Sequence, residues 1–310
     1  MFKTGALVSP PDARDYSIQP AAVLAVDTVY KSPFAPTIGK QKELNCTAYS
    51  SAYALESKTG IQFSKGGHYG DREPDHWQGE GRYLREVCDT LKKRGAAKLV
   101  DYSFEYEVSK AQDHIKANLS TYRTSAEPYK IKGYARARSV NEIKSALRSG
   151  CGVVFSAPCE SFRTDKNGTF RMREPVYGFH AMDILDWRAS DDRFRCPQSW
   201  GTGFGQKGFC YVPFEDVLRQ DDIWVLELFA ANQDSGLSII RRTLRKGMIG
   251  DDVKLLQDKL ISLGLDLGRW GADGSFGSTT HEVVTKFQKR NNLKDDGVVG
   301  PKTWAVLDAE

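Results

Sequence analysis

The stretch 44-LNCTAYSSAYALE-56 sets a cysteine directly after an asparagine, at the point where a helical pattern begins. Ala48, Ala52 and Leu55 recur at i, i+4 and i+7, with Tyr49 and Tyr53 flanking the stripe, which is the spacing of an amphipathic helix. The helix is predicted to start at Cys46, with Asn45 capping it through a side chain that accepts a first-turn N–H, and to stop at Gly60. Cys46 then stands at the positive end of the helix dipole, which favours a thiolate over a thiol. Free cysteine is also among the most buried residue types. The stretch therefore leaves two readings, nucleophile or small buried hydrophobe, and the first needs a partner elsewhere in the chain.

With 310 residues, 40% hydrophobic and 27% charged, the chain has the make-up of a soluble globular protein of one large and one small domain. A net charge of +4 is too small and too evenly spread to imply a nucleic-acid partner. No run of 18 apolar residues exists, so no membrane span is expected. The opening MFKTGALVSPPDARDYS has one lysine and an apolar run cut short by Pro10 and Pro11, so no Sec signal peptide is expected. The protein would be made in the cytoplasm and reach the outside through lysis or a dedicated secretion system. Cysteines 46, 88, 151, 159, 196 and 210 are too few for a disulfide scaffold and match no zinc spacing, so neither metal nor other cofactor is implied. If Cys46 is a reduced nucleophile, the remaining five are mostly buried packing.

Along the chain, 82-RYLREVCDTLKKRG-95 reads as an amphipathic helix with Leu84, Val87, Cys88 and Leu91 inward. The helix 139-SVNEIKSALRSG-150 runs into a buried strand, 152-GVVFSA-157. Beyond it lie the strand 178-GFHAMDILDW-187, a turn, 193-RFRCPQ-198, a glycine loop and 208-GFCYVP-213. Helices first and an antiparallel sheet after them make an α+β domain. Around 231-ANQDSGLSIIRRTL-244 the periodicity lapses, as in a linker. The rest carries an internal repeat, 273-DGSFG-277 and 296-DGVVG-300, among helices predicted over Asp251 to Leu263, Thr279 to Asn291 and 301-PKTWAVL-307. Asp273 and Asp296 read as turn formers, Phe276 and Trp304 as core. The expected division is residues 1–235, a linker 236–243, and a small all-α module 244–310.

A cysteine peptidase needs an imidazole within hydrogen-bond reach of its thiol and a third group to orient the ring. His180, on the 178–187 strand, is the best candidate, with a histidine satisfied inside a sheet as the alternative. His68, His76, His114 and His281 are placed in loops or on polar helix faces.

The order 41-QKELNCTAYSSA-52, 79-GEGRYLREV-87, 178-GFHAMDILDW-187 and 198-QSWGTGFGQKGFCYVP-213 resembles the papain-like cysteine peptidases, over roughly residues 8 to 228. It is nearest their bacterial branch, in which Cys-Thr replaces Cys-Trp. The resemblance implies a two-lobed domain, with Cys46 as nucleophile, His180 as base and Gln198 orienting the imidazole. Trp200 would shield that hydrogen bond at the substrate cleft, and Gly79 and Gly81 would admit a substrate strand, with plain turn formers as the other reading of these two glycines. Two positions depart from the family. Its usual asparagine before Ser-Trp-Gly is here Gln198, one methylene longer. Its oxyanion glutamine lies six residues before the cysteine, where this chain has Lys40; Gln41, five before, is the replacement, with Lys40 as a cationic alternative.

The repeat, 247-GMIGDDVKLLQDKL-260 and 286-KFQKRNNLKDDGVVGPKTW-304 resemble the three-helix peptidoglycan-binding module. Residues 241–310 hold 12 Lys+Arg against 10 Asp+Glu, so charge does not account for affinity toward an acidic polymer. Together the resemblances imply a monomeric cysteine endopeptidase that cuts peptide bonds of peptidoglycan or its stem peptides, endolysin-like or an injected effector. The alternatives are a wall-anchored protease of protein substrates and an inactive papain-like wall-binding protein.

Overall fold

The computed structural model describes residues 6–10, 15, 17–19, 29–42, 44–72, 81–103, 108–159, 164–170, 178–228, 238–240 and 243–309. Up to residue 158 the elements are β1 (Ala6–Leu7), β2 (Ser17–Gln19), β3 (Val29–Tyr30), α1 (Cys46–Thr59), α2 (Lys65–Gly70), β4 (Arg82–Tyr83), α3 (Leu84–Arg94), α4 (Val108–Ala126), β5 (Gly133–Arg136), α5 (Val140–Arg148) and β6 (Gly152–Pro158). After them come β7 (Phe179–Asp183), β8 (Asp186–Arg188), β9 (Arg193–Pro197), β10 (Phe209–Pro213), α6 (Phe214–Leu218), β11 (Ile223–Glu227), β12 (Ser238–Ile240), α7 (Asp251–Ser262), α8 (Ser278–Arg290) and α9 (Pro301–Ala309). The chain separates into two compact units, Met1–Pro10 with Ile18–Ile239 and Pro11–Ser17 with Ile240–Glu310. Of the expected linker 236–243, Ser238–Ile240 is a strand, and residues 236, 237, 241 and 242 lie outside the described residues. No helix among the described residues is long and apolar enough to cross a membrane.

Helix α1 begins at Cys46 and ends at Gly60, whose left-handed backbone (φ 70°) lets its N–H reach the Glu56 carbonyl. Two expectations for it fail. Asn45 makes no side-chain cap, and its buried Oδ1 has no hydrogen-bond partner. Nor is the helix amphipathic, because every residue from Cys46 to Ser57 is buried. Its polar side chains are accommodated internally: Ser50, Ser51 and Ser57 hydroxyls donate to carbonyls three or four residues back, and Glu56 accepts from Phe63 N and Lys65 Nζ. Small residues let the sheet come close. A Cβ on Gly152 would stand 2.8 Å from Ala54 Cβ and 3.2 Å from the Ala54 carbonyl oxygen, so glycine is what permits β6 to lie on α1.

The larger sheet contains β5, β11, β6, β7, β1 and β4 in that spatial order, and the smaller one β10, β9, β8 and β3. The pairs are antiparallel except β1 with β4, so the sheet is not purely antiparallel and draws strands from before the helices as well as after them. The expected strand 178–187 is two strands in different sheets. Ile184 N donates to Val153 O at 2.8 Å and Leu185 N to Arg195 O at 2.9 Å, so pairing passes from one sheet to the other at consecutive buried residues. Strands β5 and β11 and helices α2 and α4, which the apolar pattern leaves unassigned, complete this unit. Leu84, Val87, Cys88 and Leu91 of α3 are fully buried, as their spacing predicts.

His68, expected on a loop or polar face, lies instead in α2 and is 1% exposed, and His76 lies outside the described residues. Burial first, then the Arg82 and Arg72 guanidiniums, push the His68 pKa down to about 3. In the unfolded chain it returns to about 6.5. Between those values the unfolded state binds a proton that the folded state refuses, so this contribution to stability is complete above pH 6.5 and is lost as pH falls toward 3. Replacing His68 with phenylalanine removes it. In urea unfolding at a series of pH values, the stability of the parent relative to His68→Phe is expected to fall by up to ~1.4 kcal/mol per pH unit below 6.5. Parallel profiles would refute this.

The second unit is built on the predicted apolar faces. Val253, Leu256 and Leu260 of α7, Val283, Val284 and Phe287 of α8, and Trp304 and Leu307 of α9 close one core with Leu244, Phe276 and Val299. The two Asp-Gly turns repeat in structure as well as in sequence. Buried Gln257 donates to Asp273 Oδ1, Ser275 O and Thr280 Oγ1 and accepts from Gly274 N. Buried Gln288 does the same with Asp296 Oδ1, Val298 O, Thr303 Oγ1 and Gly297 N. Each amide thus satisfies a turn's inward backbone groups while the aspartate takes the N–H two residues on.

Candidate active site

Cys46 at the start of α1, His180 on β7 and Gln198 just after β9 converge in the first unit. The Ala181 N–H points at Cys46 Sγ across 3.5 Å, which sets the backbone next to His180 against the sulfur. His180 Nε2 lies 3.1 Å from Gln198 Oε1, and its Nδ1 is buried with no hydrogen-bond partner. Gln198 Nε2 donates to Cys210 Sγ at 3.2 Å, which leaves Oε1 as the end of the amide offered to the imidazole. The imidazole must then carry its proton on Nε2 and keep the Nδ1 lone pair available. His180 is fully buried, and burial brings its pKa down to about 3 against the opposing pull of Gln198, so the resting ring is neutral.

Trp200 stacks on the His180 ring at 4.2 Å between centroids and is held by Phe204 and Phe170 in edge contacts. Gln198 is itself anchored, its N–H donating to Gly208 O at 2.8 Å. Gly208 has φ 89°, and a Cβ there would meet Ile38 at 2.5 Å, so glycine is required for this return of the loop. The segment 39–41 is positioned by the two tyrosines of α1. Tyr53 Oη accepts from Gly39 N at 2.8 Å, and Gly39 sits against the Tyr49 ring. Gln41 N donates to Ser199 O, and Ser199 Oγ donates to Gln41 Oε1. Gln41 is buried with its side-chain oxygen held by Ser199, whereas Lys40 is exposed. Gly81 is buried with φ 102°, and Gly79 lies outside the described residues.

Cys210, Ser199, Phe170 and Phe204 carry no sequence signal that marks them as part of the site. Cys210 was legible only as an alternating strand position; its register opposite Cys196 exposes its contact with Gln198. Asp183 and Asp186, the nearest acidic groups in sequence, do not reach His180. Asp183 alternates to the opposite face of β7, where burial raises its pKa well above the usual range, and Asp186 pairs with Arg195. All six cysteines are free and buried.

This is the fold of the papain-like cysteine proteases. Xylellain, a cysteine protease from Xylella fastidiosa, superposes with TM-score 0.61 at 20% identity, over 72% of this chain and 95% of that one. Bromelain from Ananas comosus gives 0.52 at 16%, over 66% and 100%. Residues 249–307 match the putative peptidoglycan binding domain family, so the second unit is a helical domain of that kind. A protein of Bacillus licheniformis named a probable N-acetylmuramoyl-L-alanine amidase is 35% identical over 114 residues, 37% of this chain and 31% of that one. The chain spans less than a third of that relative's length.

Proposed function

We propose that the protein is a cell-wall-associated cysteine peptidase, with Cys46 as nucleophile, His180 as general base and acid, and Gln198 as its positioning residue. The reading rests on one observation: a buried imidazole with Nε2 fixed by an amide oxygen and Nδ1 left without a partner, on the strand that touches Cys46 Sγ. In this reading Nδ1 takes the thiol proton as sulfur attacks the substrate carbonyl. The Cys46 backbone N–H and the Gln41 side-chain amide stabilise the tetrahedral oxyanion. Imidazolium returns the proton to the leaving amine, and the thioester formed on sulfur is hydrolysed by water that His180 deprotonates. The stacked Trp200 keeps solvent from the His180 to Gln198 hydrogen bond. Gly81 admits the backbone of an extended peptide.

The peptidoglycan binding domain supports a wall peptide as substrate. Hydrolysing purified sacculi and denatured casein in parallel, with product identification by mass spectrometry, tests it. New amino termini within muropeptides are expected. Release of whole stem peptides from the glycan would instead mean amidase action, casein fragments alone a protease of proteins, and no products in either an inactive scaffold.

A further inference from the structure

The two Asp-Gly turns of the second unit are alike inside and different outside. Between α8 and Asp296 the chain needs only residues 291–295, whereas between α7 and Asp273 it spends 263–272 and adds a helical turn at Gly268–Trp270. Beside that longer connection lies a cavity of about 380 Å³, lined among others by Trp270, Asp273, Ser275, Gly277, Ser278 and Thr279. Trp270 is 66% exposed, the most exposed aromatic side chain among the described large hydrophobics, although it is the costliest kind of side chain to leave in water. Arg269 stacks over one face of the indole at 4.6 Å. At the second turn the places of Ser278 and Thr279 are taken by Pro301 and Lys302, and Lys294 pairs with Asp296 at 3.2 Å. Among the described residues Asp273 has no cation within ion-pair distance, and the Ser275 N–H keeps its carboxyl below the usual carboxylate range, so it is ionised.

We propose that this cavity is the module's ligand subsite and that it takes a neutral N-acetylated hexosamine of the glycan strand, with Trp270 as the stacking platform. The proposal rests on the reading of this unit as peptidoglycan-binding. An indole face matches the C–H face of a pyranose, and Asp273, Ser278 and Thr279 supply an acceptor and two hydroxyls for ring hydroxyl and acetamido groups. The stem peptides, which end in carboxylates, would meet the Asp273 charge unfavourably.

The test uses full-length protein carrying Cys46→Ala, so that walls are not digested, and measures co-sedimentation with purified sacculi. Trp270→Ala is expected to weaken binding about ten-fold and Trp270→Phe to retain most of it. Gly277→Leu should reproduce the loss, since Gly277 has an ordinary φ of −81° and a Cβ there meets nothing within 4 Å, so the leucine enters the cavity without disturbing the core. Glycan strands stripped of peptide and the trimer of N-acetylglucosamine should compete, and free stem peptides should not. Undiminished binding by both variants, or competition by stem peptides alone, overturns the site while leaving wall binding intact. A parent protein that stays in the supernatant overturns the wall-binding reading and this proposal with it.

Discussion

Cys46→Ala is expected to abolish peptide hydrolysis, with kcat/KM falling by about 10⁴-fold or more, because the other thiol of the site, Cys210, is fully buried against the Gln198 amide and does not replace the sulfur beside His180. His180→Ala should cost nearly as much, and the double variant little more than either, since a nucleophile and its base act as one unit. Gln198→Ala should lower kcat about ten-fold with KM almost unchanged, the mark of a residue that works through the imidazole. Gln198→Asn should not restore it. The Gln198 backbone is tied to Gly208, and its amide already spans the distance to both His180 Nε2 and Cys210 Sγ, so a side chain one methylene shorter falls short of the ring. Iodoacetamide at neutral pH supplies an independent readout. Burial raises the thiols of Cys88 and Cys196 well above their usual range, that of Cys151 to about 12, and that of Cys210 upward as well. Cys46, buried like the others but packed against the strand that carries the His180 base, should be alkylated first. Equal labelling of all six in the folded protein, or activity surviving in Cys46→Ala, would sink the assignment.

Separating the two units should split catalysis from wall action. The cut belongs after Arg242, beyond the Ser238–Ile240 strand and before Leu244, whose backbone pairs with Val299 and whose side chain is core to the second unit. Residues 1–242 should hydrolyse a soluble peptide at close to the full-length rate, because the residues assigned to chemistry all lie in the first unit. On intact walls at low enzyme concentration the same fragment should be slower by about 10²-fold, since tethering raises local concentration and adds nothing to the chemical step. Residues 243–310 should sediment with peptidoglycan and cleave nothing. Equal rates on walls with and without the second unit would show that it does not target the enzyme.

Much of this molecule is legible in its sequence. Helix ends depend on neighbours in the chain, so Gly60 and Gly95 at helix stops and the Ser139 cap of α5 follow from local rules, whereas α1 starts at Cys46 as predicted but without the Asn45 cap expected for it. The helical faces of the second unit are equally local, because a three-helix module has a solvent side that breaks each pattern. The order of motifs around Cys46, His180 and Gln198 pointed to the papain-like fold.

Other features were settled by packing that a one-dimensional pattern does not carry. Helix α1 lies inside the protein with no solvent face, so its tyrosines, serines and Glu56 meet other elements and its apparent stripe has no meaning as an amphipathic face. Residues 184 and 185 are both fully buried, which hides the point where one apparent strand leaves one sheet for another. The buried Asn45 oxygen has no cap to make. Sequence alone proposed the candidate groups of the site, whose identity is covalent. Tertiary structure alone decided which end of Gln198 faces the imidazole and where Gln41 is held, because Cys210 and Ser199, the partners that orient those amides, reach them only across the folded chain.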